Sequence, residues 1–301
     1  MYRKTPLFLF VFLLGLAVLN AQYILQGQVV DALTKDPLPF VNIGVLKKEL
    51  GTVSNEDGFF FLEVPDVYAT ETLRLSMIGF DTRDFQVAEL ETILLSNNTL
   101  VLAEQTTFLE EVVLTAEKKW DTRISGNSST SKLLITGFTS NQLGNEIALF
   151  VKVKKTPAYI DGIQFSVVEN IYPEVRFRVN VYSSTYRFPD ENILKENIFV
   201  TLKQSEGLIS VDLKEYDILV EDDVFISLEW IDEDLGSEGL WFSAGVFGKS
   251  IYARSTSHAE WKKQRGLSLG MSVTLEKRLN SLRIHFFDDL NRILDDLGQY
   301  L

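Results

Sequence analysis

The sequence predicts an all-β protein of two β-sandwich domains, followed by an amphipathic helix at the C-terminal end. Short runs of Val, Ile, Leu, Thr and Phe, separated by Gly, Pro, Asn and Asp, recur over residues 22–104 and again over 133–276. After them, apolar residues recur at steps of three and four over residues 277–301. Hydrophobic residues make up 46% of the 301-residue chain, which is enough for two cores.

Residues 1–21 have the features of a secretory signal peptide. Arg3 and Lys4 precede an apolar run from Leu7 to Leu19, and Ala21 provides a small residue for cleavage. The run is too short to span a bilayer, and no later segment is apolar enough to do so, so the chain is not expected to span the membrane once the signal is removed. We therefore expect an exported protein that is periplasmic, outer-membrane-associated or on the cell surface.

Charge and cysteine content narrow the possible partners. The formal net charge is −13, and an acidic surface repels phosphate backbones, so we expect no nucleic-acid partner. The chain has no cysteine, which excludes disulfides, a lipid-modified cysteine and thiolate metal sites.

The first domain, residues 22–104, is predicted from strand and turn chemistry. Tyr23–Asp31 and Phe40–Val45 are typical of strands, and the two prolines of residues 35–39 exclude a helix between them. Residues 51–62 are typical of a strand, a tight turn and a second strand. A further pair of strands is predicted around Gly79.

Four sequence blocks in this domain carry a family resemblance. They are GQVVD at 27–31, PLPFVNI at 37–43, GTVSNEDGFF at 51–60 and LSMIGF at 75–80. Together they resemble the carboxypeptidase regulatory-like domain that is common in exported proteins of Bacteroidota. The resemblance implies a transthyretin-like sandwich of about seven strands, which is a non-catalytic module despite its name.

The segment 105–132 is predicted to be a β-strand followed by a polar linker. Residues 108–116, FLEEVVLTA, resemble the linker that follows the same module in TonB-dependent outer-membrane receptors. A receptor would need a plug and a many-stranded barrel after it, which these residues do not supply. An accessory subunit that docks on a TonB-dependent complex is therefore an alternative function. The serine-rich centre at 126–131 predicts the domain boundary.

The second domain, residues 133–276, is predicted to contain eight strands, as in a jelly-roll-like sandwich. In residues 224–230 the apolar side chains alternate, which predicts that Trp230 is packed in the core. The helix at 277–301 places six apolar residues on one stripe, and docking on the sandwich is favoured over partner binding. They are Leu279, Leu282, Phe286, Leu290, Ile293 and Leu297.

Catalytic motifs are not found in the sequence. The two histidines, His258 and His285, do not stand in a zinc-protease motif, and no serine-nucleophile, phosphate-loop or dinucleotide motif occurs. We therefore expect a non-enzymatic protein. A hydrolase that uses two carboxylates of the second domain stays open, because such a pair has no spacing signature.

Acidic clusters on either side of strand 224–230 suggest calcium as the one possible cofactor. The candidate ligands are Asp222, Asp223, Asp232 and Asp234. Carboxylate oxygens on loops are the ligands that calcium prefers, although neither cluster has EF-hand spacing and a solvated turn is the alternative.

Tyr252, Trp261 and Lys262, all predicted in loops, are the candidate ligand-binding residues, for a glycan or an envelope protein. Aromatic rings, with Trp241 as a further candidate, could stack on a sugar or peptide, and Trp261 lies outside any obvious strand. The alternative is that these rings close the end of the sandwich. The predicted function is a binding or structural protein of the cell envelope.

Overall fold

The computed structural model describes residues 22–105, 120–138, 141–154, 157–203, 207–232, 239–246 and 250–278. Residues 22–105 contain seven strands, one α-helix and a short 3-10 turn at Asp66–Tyr68, and residues 120–278 contain the other strands. In the first domain the elements are Gln22–Asp31 (β1), Asn42–Val45 (β2), Gly51–Val53 (β3), Phe59–Pro65 (β4), Thr72–Ser76 (β5), Arg83–Gln86 (β6), Val87–Ser96 (α1) and Thr99–Leu102 (β7).

The first domain is a two-layer sandwich, as predicted. One sheet has the order β4-β1-β7 and the other β3-β2-β5-β6, and only the β1–β7 pair is parallel. Successive side chains of a strand point to opposite faces of its sheet, so only one face is buried. In β4, Phe60, Leu62 and Val64 point into the core, while Phe59 and Phe61 point outward.

Helix α1 differs from the sequence prediction, which contains no helix in this domain. Its buried residues Val87, Leu90 and Leu94 are spaced by three and four, so one side of the helix covers the core. The helix packs closely on β1 at Gly27, where an added Cβ atom would lie 2.7 Å from Leu94 Cδ2. Because α1 has only ten residues and directly follows β6, its helical periodicity is too short to distinguish it from a continuing strand.

The second domain is larger, and its described residues contain only strands and a short 3-10 turn at Lys214–Tyr216 as regular elements. Its strands are Trp120–Gly126 (β8), Ile135–Gly137 (β9), Glu146–Val151 (β10), Ala158–Asn170 (β11), Glu174–Thr185 (β12), Phe188–Asn192 (β13), Ile198–Lys203 (β14), Gly207–Asp212 (β15), Leu219–Val220 (β16), Val224–Trp230 (β17), Leu240–Val246 (β18), Ile251–Arg254 (β19), Lys262–Gln264 (β20), Leu267–Leu269 (β21) and Met271–Arg278 (β22).

These strands form two antiparallel sheets packed face to face. The seven-stranded sheet has the order β13-β12-β17-β10-β19-β20, with β14 also paired to β12. The eight-stranded sheet has the order β21-β18-β11-β22-β8, with β15 and β16 paired to β11 and β9 to β18. The described part of the chain therefore confirms the predicted all-β fold of two sandwiches.

Trp230 lies at the centre of the core between the sheets, as predicted. Its side chain is 1% exposed and makes edge contacts with Phe138, Phe177 and Tyr172, at ring-centroid distances of 5.3 to 5.4 Å. Its Nε1 donates to the carbonyl oxygen of Asp232 at 2.9 Å, which satisfies the one polar atom of the ring.

The predicted linker is wrong over residues 120–132, which belong to the second sandwich. Strand β8 pairs along its whole length with β22, from Gly126 opposite Ser272 to Trp120 opposite Arg278. Asn127 Nδ2 then donates to Ser268 Oγ at 2.9 Å. Residues that the sequence prediction assigned to a linker here form an edge strand and the turn that follows it.

At the C-terminal end, β22 continues to Arg278, two residues beyond the predicted end of the sandwich. The helix predicted at 277–301 is therefore wrong for Lys277 and Arg278, which belong to β22, and its remaining residues, 279–301, lie outside the described residues. No helix in the described ranges is long and apolar enough to cross a membrane.

Replacing Trp230 by alanine should lower the free energy of unfolding by about 3 to 5 kcal/mol, because it leaves a large cavity between the two sheets. Chemical denaturation of purified protein measures this loss. Leu208→Ala, at a side chain that is 54% exposed, is the control and should change stability by less than about 0.5 kcal/mol. Equal losses in the two variants would contradict the core assignment.

Candidate functional site

A row of four charged side chains crosses the outer face of the seven-stranded sheet. Arg178 on β12 lies opposite Glu229 on β17, Glu229 opposite Glu146 on β10, and Glu146 opposite Arg254 on β19. All four are buried, and both glutamates are 0% exposed. The row therefore places two carboxylates side by side between two guanidinium groups.

Each arginine of the row holds one carboxylate. Arg178 Nε donates to Glu229 Oε2 at 2.9 Å, and Arg254 Nε donates to Glu146 Oε2 at 2.7 Å. Asn180 Nδ2 donates to both glutamates, at 2.9 Å to Glu146 Oε1 and 2.7 Å to Glu229 Oε2. Such pairing is what allows charges to remain inside a protein.

Burial of Glu146 raises the pKa of this carboxyl group above its usual value. Arg254 acts in the opposite direction, while the neighbouring charge of Glu229 raises the pKa further. Burial also raises the pKa of Tyr182, whose hydroxyl donates to Glu146 Oε2 at 3.3 Å.

The first domain contacts this row at Arg178. Arg178 Nη1 donates to the carbonyl oxygen of Phe40 at 2.7 Å, and Nη2 donates to Asn42 Oδ1. Next to them, Phe40 and Val53 of the first domain form an apolar cluster with Ile231 and Leu143 of the second. One guanidinium thus binds a carboxylate of its own sheet and the backbone of the other domain.

Two further contacts extend this interdomain seam. Arg176 Nη1 pairs with Glu56 at 2.7 Å, and its guanidinium lies 4.8 Å from the centre of the Phe40 ring. A loop of the second domain also contacts the β2–β3 hairpin closely. A Cβ atom added to Gly51 would lie 2.6 Å from the carbonyl oxygen of Ser257 in this loop. Glycine is required there because the two backbones approach so closely.

His258 lies in the same loop, at the seam. It has a left-handed backbone, with φ of 61°, and its carbonyl oxygen accepts from Lys47 N at 2.9 Å. The ring Nε2 lies 3.3 Å from Ser76 Oγ of the first domain. Burial, followed by the nearby charge of Arg254, lowers the pKa of His258 to about 3, so the ring is neutral at physiological pH.

The predicted ligand-binding residues do not form an open platform. Tyr252 was predicted in a loop, which is wrong: it lies on β19, is 3% exposed and packs on Phe225 at a ring-centroid distance of 4.7 Å. The half-buried Trp261 ring covers the guanidinium of Arg254 at 4.9 Å. Lys262 is exposed on β20 and pairs with Glu49 of the first domain. A ligand contact by Trp261 or Lys262 stays a prediction.

The candidate calcium ligands are not brought together. Asp222 and Asp223 precede β17 and Asp232 follows it, so they lie at opposite ends of a seven-residue strand, about 20 Å apart. Asp223 Oδ1 accepts from Val153 N at 2.8 Å, and Asp232 pairs with Arg176 at 3.3 Å. Asp234 lies outside the described residues, within which no group of three or more possible ligands is placed to hold a metal.

The buried glutamate pair lacks the exposure that the carboxylate pair of a hydrolase needs. Glu146 and Glu229 have no exposed surface, and each is bound by an arginine. General acid and base groups must reach the substrate within hydrogen-bond distance. These carboxylates instead hold Arg178 and Arg254 in place, and Arg178 in turn binds the first domain.

An open polar groove lies on the outer face of the other, eight-stranded sheet. It has a volume of about 320 Å³ and is centred on β11, where Asp161, Gly162 and Gln164 meet Asp212 of β15 and Glu276 of β22. A bulge between Ile160 and Gly162 interrupts the pairing of β11 with β22 at this point. Bulges redirect side chains and are enriched next to functional sites.

Comparison with known proteins identifies the first domain. Residues 25–114 match the CarboxypepD_reg-like domain, so the predicted resemblance is confirmed and the chain contains this domain. TonB-dependent receptor P3 of Formosa agariphila is 33% identical over 132 residues, which cover 43% of this chain and 12% of the receptor. The chain thus matches only a small part of that receptor's length.

Similarity to solved structures is weak. A structure of infectious bursal disease virus, Gx strain, gives a TM-score of 0.27 at 9% identity and covers 92% of this chain and 73% of the viral chain. The VP2 subviral particle of the same virus gives a TM-score of 0.26 at 9% identity, covering 86% and 61%. TM-scores this low support no conclusion about this chain.

Replacing His258 by asparagine should make stability less sensitive to acid. Between pH 6.5 and pH 3 only the unfolded chain takes up the histidine proton, so the stability contributed by the neutral ring is fully present above pH 6.5 and is lost as the pH falls. The slope of unfolding free energy against pH between 6 and 4 should fall by up to about 1.4 kcal/mol per unit. Asparagine tolerates the left-handed backbone.

Comparing His258→Asn with wild type isolates the histidine, because the raised pKa of Glu146 acts in the opposite sense in both proteins. Ser76→Ala is the matched control, since it removes the hydroxyl but keeps the buried ring. Denaturation curves at several pH values that give the same slope for His258→Asn and wild type would contradict the assignment.

Chelation should leave the thermal midpoint unchanged, because Asp223 and Asp232 already bind protein groups at opposite ends of β17. Differential scanning calorimetry with and without EDTA measures this. A fall that calcium reverses, and that Asp232→Asn abolishes while Asp222→Asn does not, would place a calcium ligand at Asp232.

Proposed function

We propose that this chain is a non-enzymatic binding protein of the bacterial cell envelope. The CarboxypepD_reg-like domain and the similarity to part of a TonB-dependent receptor support the envelope context. The signal-peptide features of residues 1–21 support export to the periplasm, the outer membrane or the cell surface.

The observation that carries the binding role is the unequal use of the two outer faces of the second sandwich. The first domain contacts the face of the seven-stranded sheet, where Arg178 binds Phe40 and Asn42. The face of the eight-stranded sheet keeps the groove around Asp161 and Gly162. The first domain then serves as a fixed base, and the second presents the face that carries the groove to a ligand.

An accessory subunit of a TonB-dependent complex is the second candidate, favoured by the receptor match. In that case the first domain would contact the receptor with a surface other than the one that holds the second domain. The exposed side chains Ile24, Phe59 and Phe61 form an apolar area on the β1–β4 sheet that suits such a contact.

Fractionation of a Bacteroidota host that expresses the full chain with a tag should recover the protein in the envelope or the medium, without residues 1–21. Deleting residues 1–21 should retain it in the cytoplasm. An uncleaved wild-type protein in the cytoplasm would contradict the proposal.

Cross-linking in the same cells separates the two candidates. A binding protein that uses the second domain should keep its cross-linked partner when Phe59 and Phe61 are both replaced by serine. An accessory subunit that docks through the first domain should lose a TonB-dependent receptor in that variant. Mass spectrometry of the cross-linked complexes identifies the partner in each case.

A further inference from the structure

We propose that the groove around Asp161 binds a cationic side chain, arginine or lysine, presented by a peptide segment of a partner protein. This inference rests on the proposed binding function and names the chemistry of its ligand.

Asp161 carries the inference. The residue is 7% exposed and lines the groove, and its Oδ1 is buried without a hydrogen-bond partner. A buried carboxylate oxygen without a partner is costly, because it has lost water and gained no donor in return. A donor from a ligand would remove that cost, and a cationic donor would do so most effectively.

The backbone around Asp161 shapes the groove. The bulge on β11 sets Asp161 beside Gly162, and Leu213 N donates to the Asp161 carbonyl at 2.9 Å, which fixes the backbone. Gly162 has no side chain to fill the floor, and a Cβ atom there would lie 2.7 Å from the carbonyl oxygen of Val211. The site is therefore built into the sheet and does not depend on a loop.

The charge of the lining favours a cation. Asp161, Asp212 and Glu276 contribute three carboxylates, against one ammonium group from Lys214 among the described lining residues. The rest of the lining is polar or aliphatic, including Gln164 and Ser210, whose side chains are hydrogen-bonded to each other at 3.0 Å.

Two other ligand classes fit less well. A sugar is usually held partly by stacking on an aromatic ring, and the described lining contains none. A metal ion would need three or more carboxylate or histidine ligands converging on one point, and the described residues provide no such group. A guanidinium or ammonium group needs only charge and acceptors, which the groove offers.

Saturation-transfer NMR of the full chain after signal removal tests the inference. The probe is a five-residue peptide blocked at both ends, with one central arginine between glycine and serine residues. The control peptide carries citrulline, which has nearly the same shape and no charge. The arginine peptide should bind at least about tenfold more tightly, as expected for a charge-assisted hydrogen bond. Equal binding of the two peptides would overturn the proposal.

Two variants locate the binding site. Asp161→Asn should weaken binding of the arginine peptide by at least about tenfold without lowering the thermal midpoint of the free protein. Asp222→Asn, which removes an exposed carboxylate outside the groove, should bind like wild type. Wild-type affinity in Asp161→Asn would overturn the assignment.

If Asp161→Asn does not fold, Asp212→Asn replaces it, because an asparagine oxygen can still accept from Lys214 N as Asp212 Oδ1 does. Wild-type affinity of Asp212→Asn for the arginine peptide would also contradict binding of the peptide in the groove. If the wild type does not bind the arginine peptide but is located in the envelope and keeps its cross-linked partner, this inference alone is overturned. A cytoplasmic location would overturn the proposed function itself.

Discussion

The pairing of Arg178 with Glu229 is the interaction on which the arrangement of the two domains depends. The same guanidinium binds Phe40 and Asn42 of the first domain, so one side chain belongs to both folding units. Without Arg178, the neighbouring carboxylate would be buried and unpaired, at a cost of several kcal/mol. Without the first domain, Nη1 and Nη2 of Arg178 would need water in place of their protein acceptors. The seam is therefore specified by hydrogen-bond satisfaction as well as by apolar contact.

Such a row of buried charges specifies a surface more than it adds stability. Taking four charges out of water is expensive, and apolar side chains of similar size would often be as stable. An apolar patch, however, accepts many partners, whereas the Arg178 guanidinium is satisfied only by acceptors in the right positions. The backbone of Phe40 and the side chain of Asn42 lie within the PLPFVNI block that identifies the first domain. The sequence that defines the module is thus also the sequence that holds its neighbour.

Features that depend on local alternation could be predicted from the sequence, and features that depend on cross-strand register could not. Trp230 shares one strand face with Val224, Ile226 and Leu228, at a period of two that a single segment reveals. Glu146 and Glu229 are 83 positions apart and adjacent only through the pairing of β10 with β17. Each, taken alone, is typical of a solvated strand residue.

The same limit explains the errors. Residues 120–126 contain charged and small residues because they form an edge strand with an exposed face, and edge strands have the composition of linkers. Tyr252 was predicted in a loop, but it packs against Phe225, which comes from a distant part of the chain. One signal could have drawn attention to the groove: the glycine of Asp161-Gly162 lies in the interior of a strand, where glycine often marks a bulge.

The pairing of β8 with β22 gives the second sandwich a property of its own. Trp120 at its beginning lies opposite Arg278 at its end, so the backbone enters and leaves at the same corner of one sheet edge. A unit with adjacent ends can be inserted into a host chain, or copied between chains, without pulling the host's backbone apart. The topology of the sandwich therefore allows evolution to transfer it between chains as one unit. Its sheets, its core and the groove would stay unchanged in such a transfer.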